Sequence, residues 1–138
     1  MIDVTEVKIK IIENNDKLKG FCSIIFNNCF VVRDMKLIGG DNGLFIAMPS
    51  RRIMEKCVSC GSKNHARAKF CNECGSALVE VNLPQTSDGR YKLFADIAHP
   101  INASFRSQIE KAILAEYKVE LERSKQLGYK SKYSDLDN

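Results

Sequence analysis

The sequence has no long apolar run and no large excess of charge of either sign. No apolar segment approaches the roughly 20 residues that a membrane-spanning helix requires, so we expect no transmembrane segment and no membrane partner. Charged residues interrupt the first ten residues, MIDVTEVKIK, and we therefore expect no signal peptide. These absences favour a cytoplasmic protein in a reducing compartment.

Four of the six cysteines form two matching CxxCG units, and ten residues lie between Cys60 and Cys71. Zinc(II) prefers four tetrahedral ligands with sulfur about 2.3 Å away, and a two-residue spacer lets paired cysteines bind the same ion. The glycine after each unit suits a backbone that curls under the sulfurs with φ > 0. We therefore predict a structural zinc site in a zinc ribbon, with the ligands Cys57, Cys60, Cys71 and Cys74.

Other chemistry for these cysteines includes two disulfides, a redox-active CxxC pair or an iron–sulfur cluster. Two units at close range, without the βαβ context of a redox motif, favour a metal. His65 lies between the units and is an alternative ligand, although four cysteines already complete the shell. A closed tetrathiolate shell leaves no position for a reactive water, which argues against catalysis at this metal.

Two cysteines remain outside the CxxCG units. Cys22 and Cys29 lie in apolar, strand-like surroundings, where a free cysteine behaves as a small buried hydrophobe. The formal net charge is +4 at pH 7. Four metal-bound thiolates and one zinc ion would reduce it to about +2, a balance that neither requires nor excludes a polyanionic partner.

The apolar pattern predicts an α+β fold, in which an antiparallel β-meander sheet is packed by one C-terminal helix and carries the inserted four-cysteine zinc ribbon. Asn27-Asn28 is a predicted two-residue turn, and the glycine-rich segment 39–43 is a second sharp turn. An apolar stripe that recurs every four residues predicts a helix beginning near Asn102 or Ser104 and stopping by Gly128. The predicted strands span residues 7–11, 18–26, 29–38, 44–48 and 91–97, and the stripe consists of Phe105, Ile109, Ile113, Tyr117 and Leu121.

The composition changes in the middle of the chain, where the cysteine units stand among few large apolar residues. We therefore divide the sequence into an α+β domain formed by residues 1–52 and 87–128 and an inserted zinc ribbon at 53–86. Residues 129–138 form a polar C-terminal tail that we expect to fray.

Outside the cysteine units, three stretches are similar to the SpoVG family of bacteria, the stage V sporulation protein G or septation regulators. They are Asp34, the run NGLFIAMPSRR at residues 42–52, and DIAHPIN at residues 96–102. The resemblance covers roughly residues 1–52 and 87–121. It implies a small α+β fold, a homodimer built partly through its sheet, and binding to DNA, in some members also RNA, for gene regulation in sporulation and septation.

Basic residues after the AMPS run are associated with nucleic-acid contact in that family, which points to Arg51 and Arg52 here. Both follow a strand ended by Pro49, so we expect their guanidinium groups to project from a turn, available to phosphate or guanine. Lys63, Arg67 and Lys69 lie between the cysteine units. They either neutralise phosphates or solvate the loop and offset the thiolate charge.

We expect a non-enzymatic regulator. Asp96 and His99 resemble an acid–base pair, but no nucleophile accompanies them, and His99 before Pro100 suits a strand-to-helix corner. One rival interpretation is a dimeric adaptor whose zinc ribbon binds a protein partner. Another is a zinc hydrolase, which requires an open coordination position.

Overall fold

The first 133 residues are described by a computed structural model. The chain forms two compact units. One consists of Met1–Pro49 together with the chain from Ala98 onward, and the other is Ser50–Ile97. Within the described residues no helix is long and apolar enough to cross a membrane.

The first unit contains a four-stranded antiparallel sheet, in which strands consecutive in the sequence are neighbours in the sheet, followed by one helix. Its alternating apolar side chains and β-branched residues suit a half-buried sheet. The fold class predicted from the sequence is therefore confirmed. The elements are β1 (Val4–Ile11), β2 (Leu18–Phe26), β3 (Phe30–Gly40), β4 (Gly43–Ala47) and α1 (Ala103–Ser124).

The turns of the meander depend on residues that tolerate positive φ. Asn27 and Asn28 have φ values of 51° and 55°, as predicted for a tight connection. Because Phe26 pairs with Phe30, however, the turn has a third residue, Cys29. The prediction that Cys29 is a buried strand residue is wrong, since it lies exposed in this turn. Cys22, by contrast, is fully buried in β2, as predicted.

Helix α1 begins as the sequence predicts. Asn102 adopts an extended conformation, and its side-chain oxygen accepts the N–H of Phe105 at 2.8 Å. The helix buries Ile109 and Ile113 against the sheet, with Phe105 and Tyr117 packed beside them. It ends at Ser124, four residues before Gly128. The core comprises Ile9, Cys22, Ile24, Met35, Leu37, Ile46, Met48, Ile109 and Ile113.

The segment after the helix packs onto the first unit as far as the structure describes it. The Tyr129 hydroxyl donates to Glu120, and the Ser131 hydroxyl donates to the carbonyl of Ile9 at 3.0 Å. The expectation of a frayed tail is wrong for these two residues. The rest of that predicted tail, residues 134–138, lies outside the described part of the chain.

The second unit has little regular structure. Two short antiparallel ladders form within it, one between β5 (Ser50–Arg52) and β8 (Phe94–Asp96), the other between β6 (Met54–Lys56) and β7 (Lys63–His65). The strand predicted at 91–97 is thus limited to β8. Buried side chains in this unit are few, and they centre on Cys57, Asn64 and Cys71.

Candidate metal centre and basic surface

The two CxxCG units adopt the same backbone conformation. The N–H of Gly61 donates to the carbonyl of Cys57 at 2.8 Å, and the N–H of Gly75 donates to the carbonyl of Cys71 at 3.1 Å. The glycine φ values are +79° and +76°, which confirms the predicted positive φ. Glycine adopts this conformation without steric cost, so each unit folds back under its own sulfurs.

The two units bring all four predicted ligands together. The Sγ atoms of Cys57 and Cys74 are 3.7 Å apart, and those of Cys60 and Cys71 are 3.6 Å apart. All four lie within 4.8 Å of one another. Sulfurs around a tetrahedral ion at about 2.3 Å would be separated by about 3.8 Å, whereas a disulfide requires about 2.05 Å. The cluster therefore has the spacing of a single metal-ion site, and its thiols are free.

Hydrogen bonds favour the thiolate form of two of these cysteines. The backbone N–H of Cys74, the Asn64 amide and the backbone N–H of Glu73 lower the pKa of Cys71 to about 6. The pKa of Cys74 is also lowered, chiefly by the hydroxyl of Ser76, which lies 3.2 Å from its Sγ. Because the thiolate is the metal-binding form of cysteine, this environment favours a cation at Cys71 and Cys74, whereas the pKa of Cys60 is raised.

Asn64 is a site residue that the sequence analysis missed. Its side chain is 5% exposed, and its amide nitrogen donates to Cys71 Sγ at 3.4 Å and to the carbonyl of Ser62 at 3.2 Å. Its side-chain oxygen accepts the N–H of Asn72 at 2.8 Å. In β7 the exposed Lys63 and His65 flank residue 64, and period-two alternation directs it to the opposite face, but three polar residues in a row give no signal of this in the sequence.

His65 lies outside the group of side chains that could hold the ion. That group contains the four cysteines alone among the described residues, and the His65 side chain is exposed in β7, where it pairs with Met54. The structure thus brings the four cysteines together and leaves His65, the alternative ligand, outside their cluster.

Arg51 and Arg52 lie in a strand rather than in the expected turn. Both are exposed in β5, where Arg51 pairs with Ala95 and Arg52 with Phe94. Successive strand residues point to opposite faces, so the two guanidinium groups lie on opposite faces of this ladder. The Arg52 guanidinium carbon lies 5.5 Å from the centre of the Phe94 ring.

The three basic residues between the cysteine units are exposed, but the structure groups only two of them. Arg67 and Lys69 line a cleft of about 610 Å³ in the second unit, whereas Lys63 lies in β7. The guanidinium carbon of Arg67 is 4.8 Å from the centre of the Tyr91 ring. Six basic residues and one acidic residue, Glu55, occur in residues 51–69, which makes this segment the basic part of the unit.

The first unit contains a separate apolar cavity of about 320 Å³ between the sheet and the start of α1. His99 and Pro100 form part of its wall, together with Phe105 from the helix and Cys29 from the turn. Its lining is almost wholly apolar, so the cavity offers few groups for chemistry.

Comparison with known proteins gives a consistent match. The model of the SpoVG family matches residues 2–119. A Clostridium perfringens protein named "Putative septation protein SpoVG" is 40% identical over 116 residues, covering 84% of this chain and 89% of the relative. Proteins of the same name are 36% identical in Caldicellulosiruptor saccharolyticus, covering 84% and 91%, and 34% identical in Myxococcus xanthus, covering 99% and 100%.

Proposed function

Because the chain belongs to the SpoVG family, whose members carry the name of septation proteins, we propose that it is a regulatory protein that binds DNA, and also RNA, and holds a structural zinc ion. The observation that carries the nucleic-acid part is the basic segment 51–69, with its six basic residues against one acidic. The four-cysteine cluster carries the zinc part.

Zinc fits the cluster better than its rivals. The donor set is four thiolates, two of them with lowered pKa, at the spacing of a single tetrahedral ion. An iron–sulfur cluster distributes its thiolates over two or more irons, which calls for wider separations between thiolates on different irons than the 4.8 Å within which all four sulfurs lie. Cys57, Cys60, Cys71 and Cys74 would hold the ion. With its shell closed, the zinc contributes folding energy to a unit that has few buried apolar side chains.

Elemental analysis of protein purified under reducing conditions tests this assignment. We expect one zinc per chain and no visible absorption of the kind that iron–thiolate sites show. Cys71→Ser should lose the metal, whereas Cys29→Ser, outside the cluster, should retain it. A metal-free protein with an unchanged fold, or one that contains stoichiometric iron, would overturn the zinc proposal.

The basic residues supply affinity for phosphate. Arg51, Arg52, Lys63, Arg67 and Lys69 are exposed, and arginine offers planar bidentate donors to phosphate oxygens. Each phosphate that such residues neutralise releases counterions, so binding through them weakens steeply with salt. We propose that Arg51 and Arg52 contribute from opposite faces of the β5–β8 ladder.

The nucleic-acid proposal is tested by titrating random duplex and single-stranded probes at low and moderate salt. Arg51→Ala/Arg52→Ala should bind more weakly and with a smaller salt slope. Lys111→Ala/Lys118→Ala removes the same charge from exposed positions on α1 and should bind like the parent. Equal affinities for the two double variants would refute the site assignment, and the single arginine variants identify the face that contributes more.

We propose that the protein is not an enzyme. Four thiolates leave no open metal position for a water, and the zinc-hydrolase interpretation requires one. Its test is single replacement of each cysteine by serine. A cysteine that proves dispensable for metal retention would revive the hydrolase interpretation.

We also propose a homodimer in a reducing, cytoplasmic environment. The edge of β4 opposite β3 pairs with no strand in the described chain, and Leu44 and Phe45 on this strand are 41% and 51% exposed. Such an edge suits pairing with a second copy. Sedimentation equilibrium should give twice the chain mass, and a monomer at micromolar concentration would contradict the proposal.

An adaptor role is the second candidate, and exposed apolar side chains favour it. Val58, Phe70 and Val79 in the second unit are 83%, 67% and 71% exposed, and a protein partner that covered them would remove this apolar surface from water. The variant Arg51→Ala/Arg52→Ala separates the two functions, whereas a chelator does not, because both arginines lie in the same unit as the cysteine cluster. An adaptor should keep its protein partner in a pull-down with this double variant, while nucleic-acid binding through the two arginines should weaken.

A further inference from the structure

Two half-exposed aromatic side chains stand beside arginines in the second unit. Tyr91 is 50% exposed and Phe94 is 48% exposed. The guanidinium carbon of Arg67 lies 4.8 Å from the Tyr91 ring centre, and that of Arg52 lies 5.5 Å from the Phe94 ring centre. These distances are within the range of a cation–π contact. Each ring therefore meets a positive charge and keeps about half of its surface open to solvent.

Backbone hydrogen bonds hold the two aromatic–arginine pairs on neighbouring segments. The N–H of Ile53 donates to the carbonyl of Leu93 at 2.9 Å, and the N–H of Ala66 donates to the carbonyl of Ile53 at 3.1 Å. The segments around residues 93, 53 and 66 are thus adjacent. Tyr91 and Phe94 lie three residues apart on the segment around residue 93, so their Cα atoms are at most about 11 Å apart, a distance that a few nucleotides can span.

An exposed aromatic ring beside a guanidinium group is suited to bind a nucleotide whose base is unpaired. Every base has a π-face that can stack on such a ring, while the arginine neutralises the adjoining phosphate. In a duplex the bases stack on each other and are not available to these rings. The cleft next to one of these rings is lined by Arg67, Lys69 and Tyr91 and also by Glu80, so it carries two positive charges against one negative charge.

We infer that the nucleic acid bound by this unit is single-stranded, with unpaired bases stacked on Tyr91 and Phe94 and with phosphates held by Arg67 and Arg52. This inference rests on the proposed nucleic-acid function and narrows its ligand. Single-stranded DNA and RNA share the stacking chemistry, so both are used as probes.

The first test compares dissociation constants for mixed-sequence 12-mers of single-stranded DNA, single-stranded RNA and the matching duplex at one salt concentration. The single strands should bind more tightly than the duplex. Tyr91→Ala and Phe94→Ala should each weaken single-strand binding about 5- to 150-fold and leave duplex binding unchanged. Tyr91→Phe, which keeps the ring, should bind like the parent. Phe70→Ala removes an exposed aromatic of the same unit outside both pairs and serves as the matched control.

A spectroscopic readout reports stacking without a disruptive substitution. The chain has four tyrosines and no tryptophan, so tyrosine emission is observed directly. A single strand stacked on Tyr91 should quench part of that emission. In Tyr91→Phe the strand should still bind, but this part of the quenching should disappear.

The outcomes separate the inference from the function on which it rests. If no probe binds, the nucleic-acid function itself fails, and the inference fails with it. If the duplex binds as tightly as the single strands, or if Tyr91→Phe shows the same quenching as the parent, the stacking inference is overturned while nucleic-acid binding stands. Zinc content and circular dichroism establish that each variant is folded. If an alanine variant is unfolded, the comparison of tyrosine quenching between Tyr91→Phe and the parent tests the stacking inference in its place.

Discussion

The side-chain amide nitrogen of Asn64 donates to the Sγ atom of Cys71 at 3.4 Å. The same side chain accepts the backbone N–H of Asn72 at 2.8 Å. One buried amide therefore connects strand β7 to the second CxxCG unit and stabilises charge on its sulfur. In metal sites, groups that orient the ligands in this way also raise the affinity for the metal.

Asn64→Ala should weaken metal binding by about 10- to 100-fold, because the loss of such an outer hydrogen bond typically costs this much. Competition with a chromophoric chelator measures the change. Asn72→Ala keeps the backbone N–H that Asn64 accepts, and it should bind metal like the parent. Equal affinity of Asn64→Ala and the parent would show that the amide does not support the site.

The metal ligands were predictable from the sequence, and Asn64 was not, for a physical reason. The CxxCG spacing is a local property, since two residues determine how far apart paired sulfurs lie. The role of Asn64 arises when the β6–β7 hairpin forms and brings residue 64 against a sulfur seven positions along the chain. A polar residue between Lys63 and His65 gives little indication that it is buried.

The same distinction applies to the fold. The meander strands and the Asn102 cap follow from alternation and capping preferences that nearby residues determine. The placement of Arg51 and Arg52 in a strand depends on β8, which pairs Ser50 with Asp96 across the whole cysteine segment. Pro49 indicated the end of a strand and a turn after it, because the partner strand β8 is distant in the sequence.

The two cysteines outside the cluster should differ sharply in reactivity. Cys22 is fully buried, and burial raises the pKa of its thiol to about 12, so almost no thiolate exists at pH 8. Cys29 is exposed in the turn. Titration of zinc-loaded protein with an aromatic disulfide reagent at pH 8 should show one fast thiol. Cys29→Ser should abolish this fast phase, and its persistence would place the reactive thiol elsewhere.

Asn102→Ala should destabilise the protein by about 1 kcal/mol, the typical cost of losing an N-cap. The side-chain oxygen of Asn102 accepts the N–H of Phe105, which has no partner within the helix at this position. Urea denaturation measures the free energy of unfolding. Asn102→Asp retains the acceptor, so its free energy of unfolding should remain close to that of the parent. An equal loss of stability in both variants would argue against the capping role.

Glu120 provides the last prediction, since it is a carboxylate that is only 2% exposed. Its partners are the Arg123 guanidinium at 2.6 Å and the hydroxyl of Tyr129. Burial and the neighbouring carboxylate raise the pKa of Tyr129, which keeps its phenol protonated and able to donate. Tyr129→Phe removes that donor and leaves part of a buried carboxylate unsatisfied.

The free energy of unfolding of Tyr129→Phe should fall by about 1 to 3 kcal/mol, the cost of an unsatisfied buried group. Adding Glu120→Leu should recover part of the loss, because replacing both partners by apolar groups removes the unsatisfied acceptor. Urea denaturation of the two single variants and the double variant forms the required cycle. Strictly additive losses would mean that the two side chains do not interact, and that the segment after α1 is held to the first unit by other contacts, such as Ser131 to Ile9.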